Sequence, residues 1–273
     1  MTIKRCLHVI FLVLSFMTSA WAGSVTMQTH PKFKQIFHEI TKQQKQGSTL
    51  LVFDIDNTLL KFKQDFGSPA WFDWQKDCVK AHKDCRIVSN FNELIAISDL
   101  AIESQTMTLT EPKLNNELAT LIQQNKDKMQ ALIVTARSPA LRSVTLGSLQ
   151  KQQLHFDQWS SCADPQRCIF SMIGNKQLPA LFDRGVVYSA GQKKGDLLKQ
   201  VLLRLQLRPR TIVFMDDSQH NLDQVAEAFK DEPVQLILMR YSGMDLETKD
   251  FLQSVDRQGR TLQYWQQMAM HLR

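Results

Sequence analysis

Short apolar runs recur along the chain and alternate with longer stretches in which apolar positions return every three or four residues. A short run bounded by polar residues predicts a strand buried on both faces, and the longer period predicts an amphipathic helix. The runs lie at residues 50–53, 129–134, 186–188, 211–215 and 234–239. Because helical segments separate them and no repeat is visible, the pattern predicts an α/β fold with a doubly wound parallel sheet.

Two segments interrupt this alternation. Residues 61–109 follow the first strand directly, lack a clean period and are rich in aromatic side chains. We expect those rings to form a small satellite core, or alternatively part of a wall over the end of the first strand. Residues 153–185 are predicted to be irregular and contain two cysteines. We therefore expect one main domain, residues 23–273, with insertions at about 61–109 and 153–185.

The first residues have the features of a secretory signal. A basic pair, Lys4 and Arg5, precedes an apolar stretch and the segment Ala20-Trp21-Ala22, after which cleavage is expected. The apolar stretch of about 12 residues is shorter than the roughly 20 that a membrane span needs. Residues 1–22 are therefore predicted to be a signal peptide, with no membrane span elsewhere and a periplasmic or secreted mature chain.

Charge says little about partners. The formal net charge is +6, and it becomes +4 when Lys4 and Arg5 are removed (6 − 2 = 4). The basic residues are scattered rather than clustered. This distribution suits an anionic substrate and argues against nucleic acid as a partner.

Four cysteines remain after removal of the predicted signal, and in an exported chain they favour two disulfides. Their spacing suggests the local pairs Cys78–Cys85 and Cys162–Cys168, although four cysteines permit three connectivities. A zinc site is the alternative, but neither pair has the Cys-x2-Cys spacing and histidines are sparse nearby.

Polar residues at the carboxyl ends of three apolar runs carry the candidate chemistry. Asp54 and Asp56 follow the first run, Thr135 follows the second, and Asp216-Asp217 follow the fourth. Two carboxylates at alternate positions of an extended segment leave from the same face, repel each other and require a cation or a shared proton. Ligands of open α/β sheets bind at this edge. The pattern therefore indicates a metal-dependent site.

These motifs resemble those of the haloacid dehalogenase (HAD) superfamily. Asp54-Ile55-Asp56-Asn57-Thr58 is similar to that family's Asp-x-Asp-x-Thr motif, and Thr135, Lys194-Gly195 and Asp216-Asp217 follow in the family's order. The first motif alone is moderately specific, whereas four motifs in order are strongly specific. The resemblance extends from about residue 50 to residue 239. It implies a HAD-like Rossmannoid core in which residues 61–109 occupy the position of a small cap.

The resemblance implies a role for each motif in phosphoryl transfer. Asp54 would be the nucleophile that forms an aspartyl-phosphate. Asp56 would protonate the leaving oxygen and later take a proton from the attacking water. Lys194 would neutralise the phosphate and orient Asp54. The phosphate oxygens would also be bound by Thr58, Thr135 and Ala136.

The resemblance also implies a Mg²⁺ site. Asp54, the main-chain carbonyl of Asp56 and Asp217 would be ligands, and Asp216 would either ligate or support them. Asn221 lies where relatives often have an acid and is expected to hydrogen-bond to a ligand. Arg137 has two open interpretations, a phosphate contact or a surface salt bridge.

The residue at position 56 discriminates within the superfamily, because its dehalogenases lack an acid there and its ion-pumping ATPases have threonine. With an aromatic segment at residues 66–72, the chain is most similar to secreted bacterial acid phosphatases. The second insertion and Asp216 depart from their pattern. The resemblance implies an exported, Mg²⁺-dependent phosphatase of phosphomonoesters, either small molecules or phosphopeptides. The alternatives are a phosphotransferase at the same site, or a protein that binds a host or envelope partner.

Overall fold

The structure is a computed structural model that describes residues 23–43, 47–160, 168–174 and 178–271. The strands in these ranges are β1 (Ser24–His30), β2 (Thr49–Phe53), β3 (Leu60–Phe62), β4 (Met107–Leu109), β5 (Met129–Thr135), β6 (Ile169–Ile173), β7 (Pro179–Asp183), β8 (Val186–Tyr188), β9 (Thr211–Asp216) and β10 (Gln235–Tyr241). The α-helices are α1 (Phe33–Gln43), α2 (Pro69–Lys80), α3 (Phe91–Ser104), α4 (Leu114–Gln124), α5 (Arg142–Lys151), α6 (Phe156–Trp159), α7 (Lys194–Arg204), α8 (Gln219–Phe229), α9 (Asp245–Gln253) and α10 (Val255–His271). A 3-10 turn, Pro139–Leu141, precedes α5.

Within the described residues, eight strands form one mixed sheet in the order β1-β10-β9-β2-β5-β8-β7-β6. The first six run parallel, which confirms an α/β fold with a mostly parallel sheet and the five predicted strands β2, β5, β8, β9 and β10. The prediction of an entirely parallel sheet is wrong at one edge, where β7 is antiparallel to β8 and β6. The cause is local, because a two-residue turn with positive φ at Arg184 (45°) and Gly185 (86°) joins β7 to β8 as a hairpin.

Helices cover both faces of the sheet. Successive side chains of β2 alternate between the two cores, with Leu51 and Phe53 on one side and Leu50 and Val52 on the other. The first core is covered by α1, α4 and α5, and the second by α7 and α8. Both faces of β2 are therefore buried, which is the environment that its continuous apolar run predicted.

Three strands of the sheet have no counterpart in the sequence-based predictions. The edge strand β1 is largely exposed and has no apolar run. Residues 153–185 were predicted to be irregular, and this is wrong for the described part, which contains α6 and the β6–β7 hairpin. In β6, buried Phe170 and Met172 alternate with exposed Ile169 and Ile173, so the strand covers the core with one face only.

The insertion after β2 has a small core of its own. It enters through β3 and leaves through β4, which pair antiparallel, and it contains α2 and α3. The predicted satellite core is confirmed, with Phe66 and Trp71 fully buried. The C-terminal helices complete this core, since the ring of Phe66 lies 5.2 Å from Tyr264 and 6.3 Å from Trp265. The insertion is therefore packed against α10.

The disulfide Cys78–Cys85 is confirmed, with 5.7 Å between the Cα atoms. Cys168 is also disulfide-bonded, and its predicted partner Cys162 lies outside the described residues. The predicted signal peptide, residues 1–22, likewise lies outside them. Among the helices that the structure does describe, none has the length and apolar character needed to cross a membrane.

Candidate active site

The candidate site lies at the carboxyl ends of three adjacent strands. β2 is flanked by β9 and β5. Phe53 lies opposite Met215, so Asp54 and Asp216 are the next residues along two neighbouring strands. Thr135 ends β5 on the other side of β2. Parallel pairing therefore brings together residues that are far apart in sequence, as the strand-end pattern predicted.

A buried lysine connects the two aspartates. Lys194 is the first residue of α7, and its Nζ donates to Oδ1 of Asp54 and Oδ2 of Asp216, each at 2.6 Å. Burial acts to lower the pKa of Lys194, but the Asp216 and Asp54 carboxylates outweigh it and the pKa lies above its usual value. Gly195 lets α7 approach α8 closely, because a Cβ there would lie 2.6 Å from Cβ of Ala228. The lysine is thus held, positively charged, between the strand ends.

Asp216 is fully buried and has donors on both carboxylate oxygens. Besides Lys194, it accepts from the backbone N–H of Ser218 at 2.9 Å and from Nδ2 of Asn221 at 3.0 and 3.2 Å. Asn221 therefore lies where the sequence placed it, beside an acidic residue of the site. The hydroxyl of Ser218 caps α8 by accepting from the N–H of Asn221 at 3.4 Å. These hydrogen bonds hold the Asp216 carboxylate in place, and the carboxylate in turn positions Lys194.

Asp56 forms an ion pair that the sequence did not reveal. Arg137 donates from Nε to Oδ2 of Asp56 at 3.0 Å and from Nη2 to Oδ1 at 2.7 Å. The Arg137 side chain is only 1% exposed, whereas that of Asp56 is 20% exposed. Burial acts to lower the pKa of Arg137, but the Asp56 carboxylate outweighs burial and the pKa lies above its usual value. The guanidinium is therefore charged. The interpretation of Arg137 as a surface salt bridge is wrong, because the pair lies inside the protein.

Three of the predicted phosphate-binding residues lie at or just after the carboxyl ends of β2 and β5. Thr58 is fully buried, and its hydroxyl accepts from the backbone N–H of Asp217 at 3.1 Å. The hydroxyl of Thr135, also fully buried, accepts from the backbone N–H of Arg137 at 3.3 Å. Ala136, between these two residues, is exposed. The two threonines therefore order the loops around the aspartates, and the strand-end loop at Ala136 is open to solvent.

Three carboxylates are arranged so that they could hold a metal ion. One oxygen each from Asp54, Asp216 and Asp217 lies within 4.8 Å of the others. The carboxylate of Asp56 is outside this group, so any contribution from Asp56 would come from its main chain. Hard carboxylate oxygens are the donors that Mg²⁺ prefers. The residues of the candidate site therefore fit the expected cation.

The electrostatics of the site also favour a cation. Its four carboxylates face two cations, Lys194 and Arg137, which leaves two negative charges when all are ionised (4 − 2 = 2). Burial raises the pKa of Asp54 to about 7, against the opposing effect of Lys194. Burial, followed by Asp216 and Asp54, raises the pKa of Asp217 well above its usual value. A divalent cation would relieve this excess of negative charge.

The fold and the site together define an α/β protein with an acidic, lysine-bridged site at the carboxyl edge of its sheet. The chain belongs to DUF2608, a family described as a protein of unknown function, whose model matches residues 29–270. A comparison with curated proteins finds no match. A crystal structure from Thermotoga maritima, provisionally assigned as a beta-phosphoglucomutase, is similar with a TM-score of 0.39 and 12% identity over 74% of this chain and 98% of that one. Similarity at this level does not establish a shared function.

Proposed function

We propose that the protein is a Mg²⁺-dependent phosphatase that hydrolyses phosphomonoesters through an aspartyl-phosphate on Asp54. The observation that carries the proposal is the bridge of Lys194 between Asp54 and Asp216, with Asp217 in the same cluster. A carboxylate that must attack a phosphate dianion needs fixed positive charge beside it. A buried ammonium 2.6 Å from Asp54 supports that role.

Each residue of the site has a defined task in this reaction. An oxygen of Asp54 would form a bond to phosphorus while the bond from phosphorus to the leaving oxygen breaks, and Asp56 would give a proton to that oxygen. In the second half, Asp56 would take a proton from water as the water oxygen bonds to phosphorus and releases Asp54. Lys194 would hold Asp54 in line and neutralise the phosphate. Asp54, Asp217 and Asp216 would hold Mg²⁺, which supplies positive charge that keeps the carboxylates ionised and screens the phosphate.

The insertion borders this site and would act as a small cap. Asp99 of α3 accepts a hydrogen bond from the hydroxyl of Ser138 at 3.2 Å, and Ser138 lies three residues after Thr135. Met107, at the start of β4, contacts Arg137 at 2.7 Å. Because α10 packs against the insertion, we infer that the cap is held in one position. The exposed loop at Ala136 would leave room for a phosphomonoester.

We also propose that the protein acts after export, in the periplasm or outside the cell. The observations in support are the Cys78–Cys85 disulfide and the signal-like sequence at residues 1–22. Cell fractionation tests this proposal. The expected result is a mature chain outside the cytoplasm that lacks about the first 22 residues by mass spectrometry.

The activity is tested with p-nitrophenyl phosphate on the full chain, expressed with export to an oxidising compartment. We expect hydrolysis with Mg²⁺, loss of hydrolysis with EDTA, and loss in Asp54→Asn. Asp223→Asn is the matched control, because Asp223 is exposed on α8 outside the site. Acid quenching should trap a phosphorylated wild-type chain and no phosphorylated Asp54→Asn. Undiminished activity in Asp54→Asn would refute the assigned nucleophile, and transfer of phosphate to an added alcohol would identify a phosphotransferase.

A further inference from the structure

We infer that Arg137 is a positioning residue for the proposed acid and base, Asp56, and that it does not bind the phosphate. This inference rests on the proposed function, since Asp56 has a chemical task only if the site transfers phosphoryl groups. The sequence left two interpretations of Arg137 open, and the contacts of its guanidinium decide between them.

The guanidinium holds the carboxylate as a fork. Two hydrogen bonds, of 3.0 and 2.7 Å, engage both oxygens of Asp56. A bidentate pair of this kind restricts rotation about both side-chain torsions of the aspartate, which a single contact does not do. Each carboxylate oxygen keeps a second lone pair, and the 20% exposure of the Asp56 side chain leaves an edge accessible. The fork therefore fixes the carboxylate without blocking it.

Arg137 is itself held by three further contacts, two of the guanidinium and one of the backbone. Its Nη1 donates to Oγ1 of Thr145 on α5 at 3.0 Å, and its Nη2 contacts Sδ of Met107 on β4 at 2.7 Å. Its own backbone N–H is held by Thr135 at the end of β5. Four of the five guanidinium N–H donors have partners among the described residues, and 1% of the side chain is exposed, so Arg137 presents very little of its guanidinium to an incoming phosphate. Its effect on catalysis would pass through Asp56.

The proposed chemistry makes this effect measurable. Departure of an alkoxide requires a proton from Asp56, whereas p-nitrophenolate leaves without one. The ratio kcat/KM reports the steps up to the first release of the leaving group. A misplaced Asp56 should therefore slow the hydrolysis of an alkyl phosphate much more than that of p-nitrophenyl phosphate. A residue that binds phosphate would affect both substrates alike and would weaken inhibition by inorganic phosphate.

The principal variant is Arg137→Lys, which keeps the positive charge and removes the fork. We expect kcat/KM for glycerol 2-phosphate to fall about 100-fold, the scale of acid–base catalysis, with a much smaller fall for p-nitrophenyl phosphate. The inhibition constant of inorganic phosphate should stay unchanged. In an Asp56→Asn background, Arg137→Lys should cause no further loss. Arg257→Lys is the matched control, since Arg257 forms a bidentate pair with Asp65 outside the site.

A second variant guards against misfolding of the first. Thr145→Val keeps Arg137 and removes only its Nη1 partner, so it should show the same leaving-group dependence at smaller amplitude. Equal losses for both substrates, or a raised inhibition constant for phosphate, would overturn the inference while the Asp54-dependent activity of the wild type still stood. An inactive wild type, or one insensitive to Asp54→Asn, would instead refute the proposed function.

Discussion

Replacing Lys194 with methionine tests the electrostatic balance on which the candidate site depends. The substitution keeps an unbranched apolar chain and removes the ammonium, together with its 2.6 Å hydrogen bonds to Asp54 and Asp216. A hydrogen bond to a charged group contributes about 1.5–3 kcal/mol. Removing one partner of a buried ion pair costs about 3–5 kcal/mol. We therefore expect the free energy of unfolding of the metal-free protein to fall by about 3–5 kcal/mol.

The assay is urea unfolding with and without Mg²⁺. Without Lys194, Arg137 is the remaining cation that pairs with these four carboxylates among the described residues, which leaves three negative charges when all are ionised (4 − 1 = 3). Mg²⁺ should therefore restore part of the lost stability, while phosphatase activity should remain absent. Lys199→Met is the matched control, because Lys199 lies on the same helix and its ion pair with Glu232 is about two-fifths exposed. That exposed pair contributes about 0–1 kcal/mol.

The size of the difference between the two variants decides the outcome. A loss in Lys194→Met no greater than that in Lys199→Met would show that the buried carboxylates do not need the lysine, and would refute the reasoning about charge. If Lys194→Met lost the expected free energy of unfolding and Mg²⁺ restored none of it, the assignment of the acidic cluster as a cation site would be refuted.

Three further predictions concern the stability of the metal-free protein. In the folded protein the pKa of Asp54 is about 7, above its ordinary 3.8, and the pKa of Asp217 is also raised. The contribution of these two groups to the free energy of unfolding is therefore complete below pH 3.8 and is lost as the pH rises through 7. The melting temperature should thus fall from about pH 5 to about pH 8, and Mg²⁺ should oppose the fall. Replacing Cys78 and Cys85 with serine should cost about 2.5 kcal/mol by urea unfolding, from the loop entropy of a separation of 7 residues. Gly195→Ala should cost about 1–3 kcal/mol and lower the activity, because the new methyl group would lie 2.6 Å from one on α8.

Each of these predictions has a defined control. Asp217→Asn should flatten the pH dependence of the melting temperature, and an unchanged slope would contradict the assigned cause. Reduction of the wild type also opens the disulfide of Cys168, so it should cost at least as much stability as the serine variant. A loss that occurs only on mutation would point to packing instead. Gly259→Ala, in α10 with nothing within 4 Å of the added carbon, should stabilise by about 0.5–1 kcal/mol. If Gly195→Ala and Gly259→Ala changed the free energy of unfolding equally, the close contact of α7 and α8 would be contradicted.

The sequence predicted the elements whose signal is contained in their own residues. The continuous apolar runs identified β2, β5, β8, β9 and β10, because both faces of these strands are buried. β1 was missed because an edge strand that is largely exposed needs no apolar face. β6 and β7 were missed because the short antiparallel hairpin lies next to residues rich in turn formers and cysteine.

The same distinction applies to the candidate site. Asp54, Lys194 and Asp216 were identified from their motifs, and the structure brings them within hydrogen-bond distance. The partner of Arg137 was not predicted, since its ion pair with Asp56 joins positions 81 residues apart and depends on the packing of α5 and β4 around it. The location of Arg137 two residues after the end of β5 indicated that it lies near the site. It did not specify which group the arginine side chain would contact.

The pairing of β1 with β10 has a consequence for how the chain folds. Ser24 lies opposite Gln235, a separation of 211 residues (235 − 24 = 211). During synthesis the first strand of the sheet is made long before the strand that it pairs with, so it cannot dock until nearly all of the chain is available. Closure of this edge should be a late and slow step. The segment next to the predicted export signal would stay extended and unpaired in the meantime, the form in which a translocation channel or a chaperone can engage it.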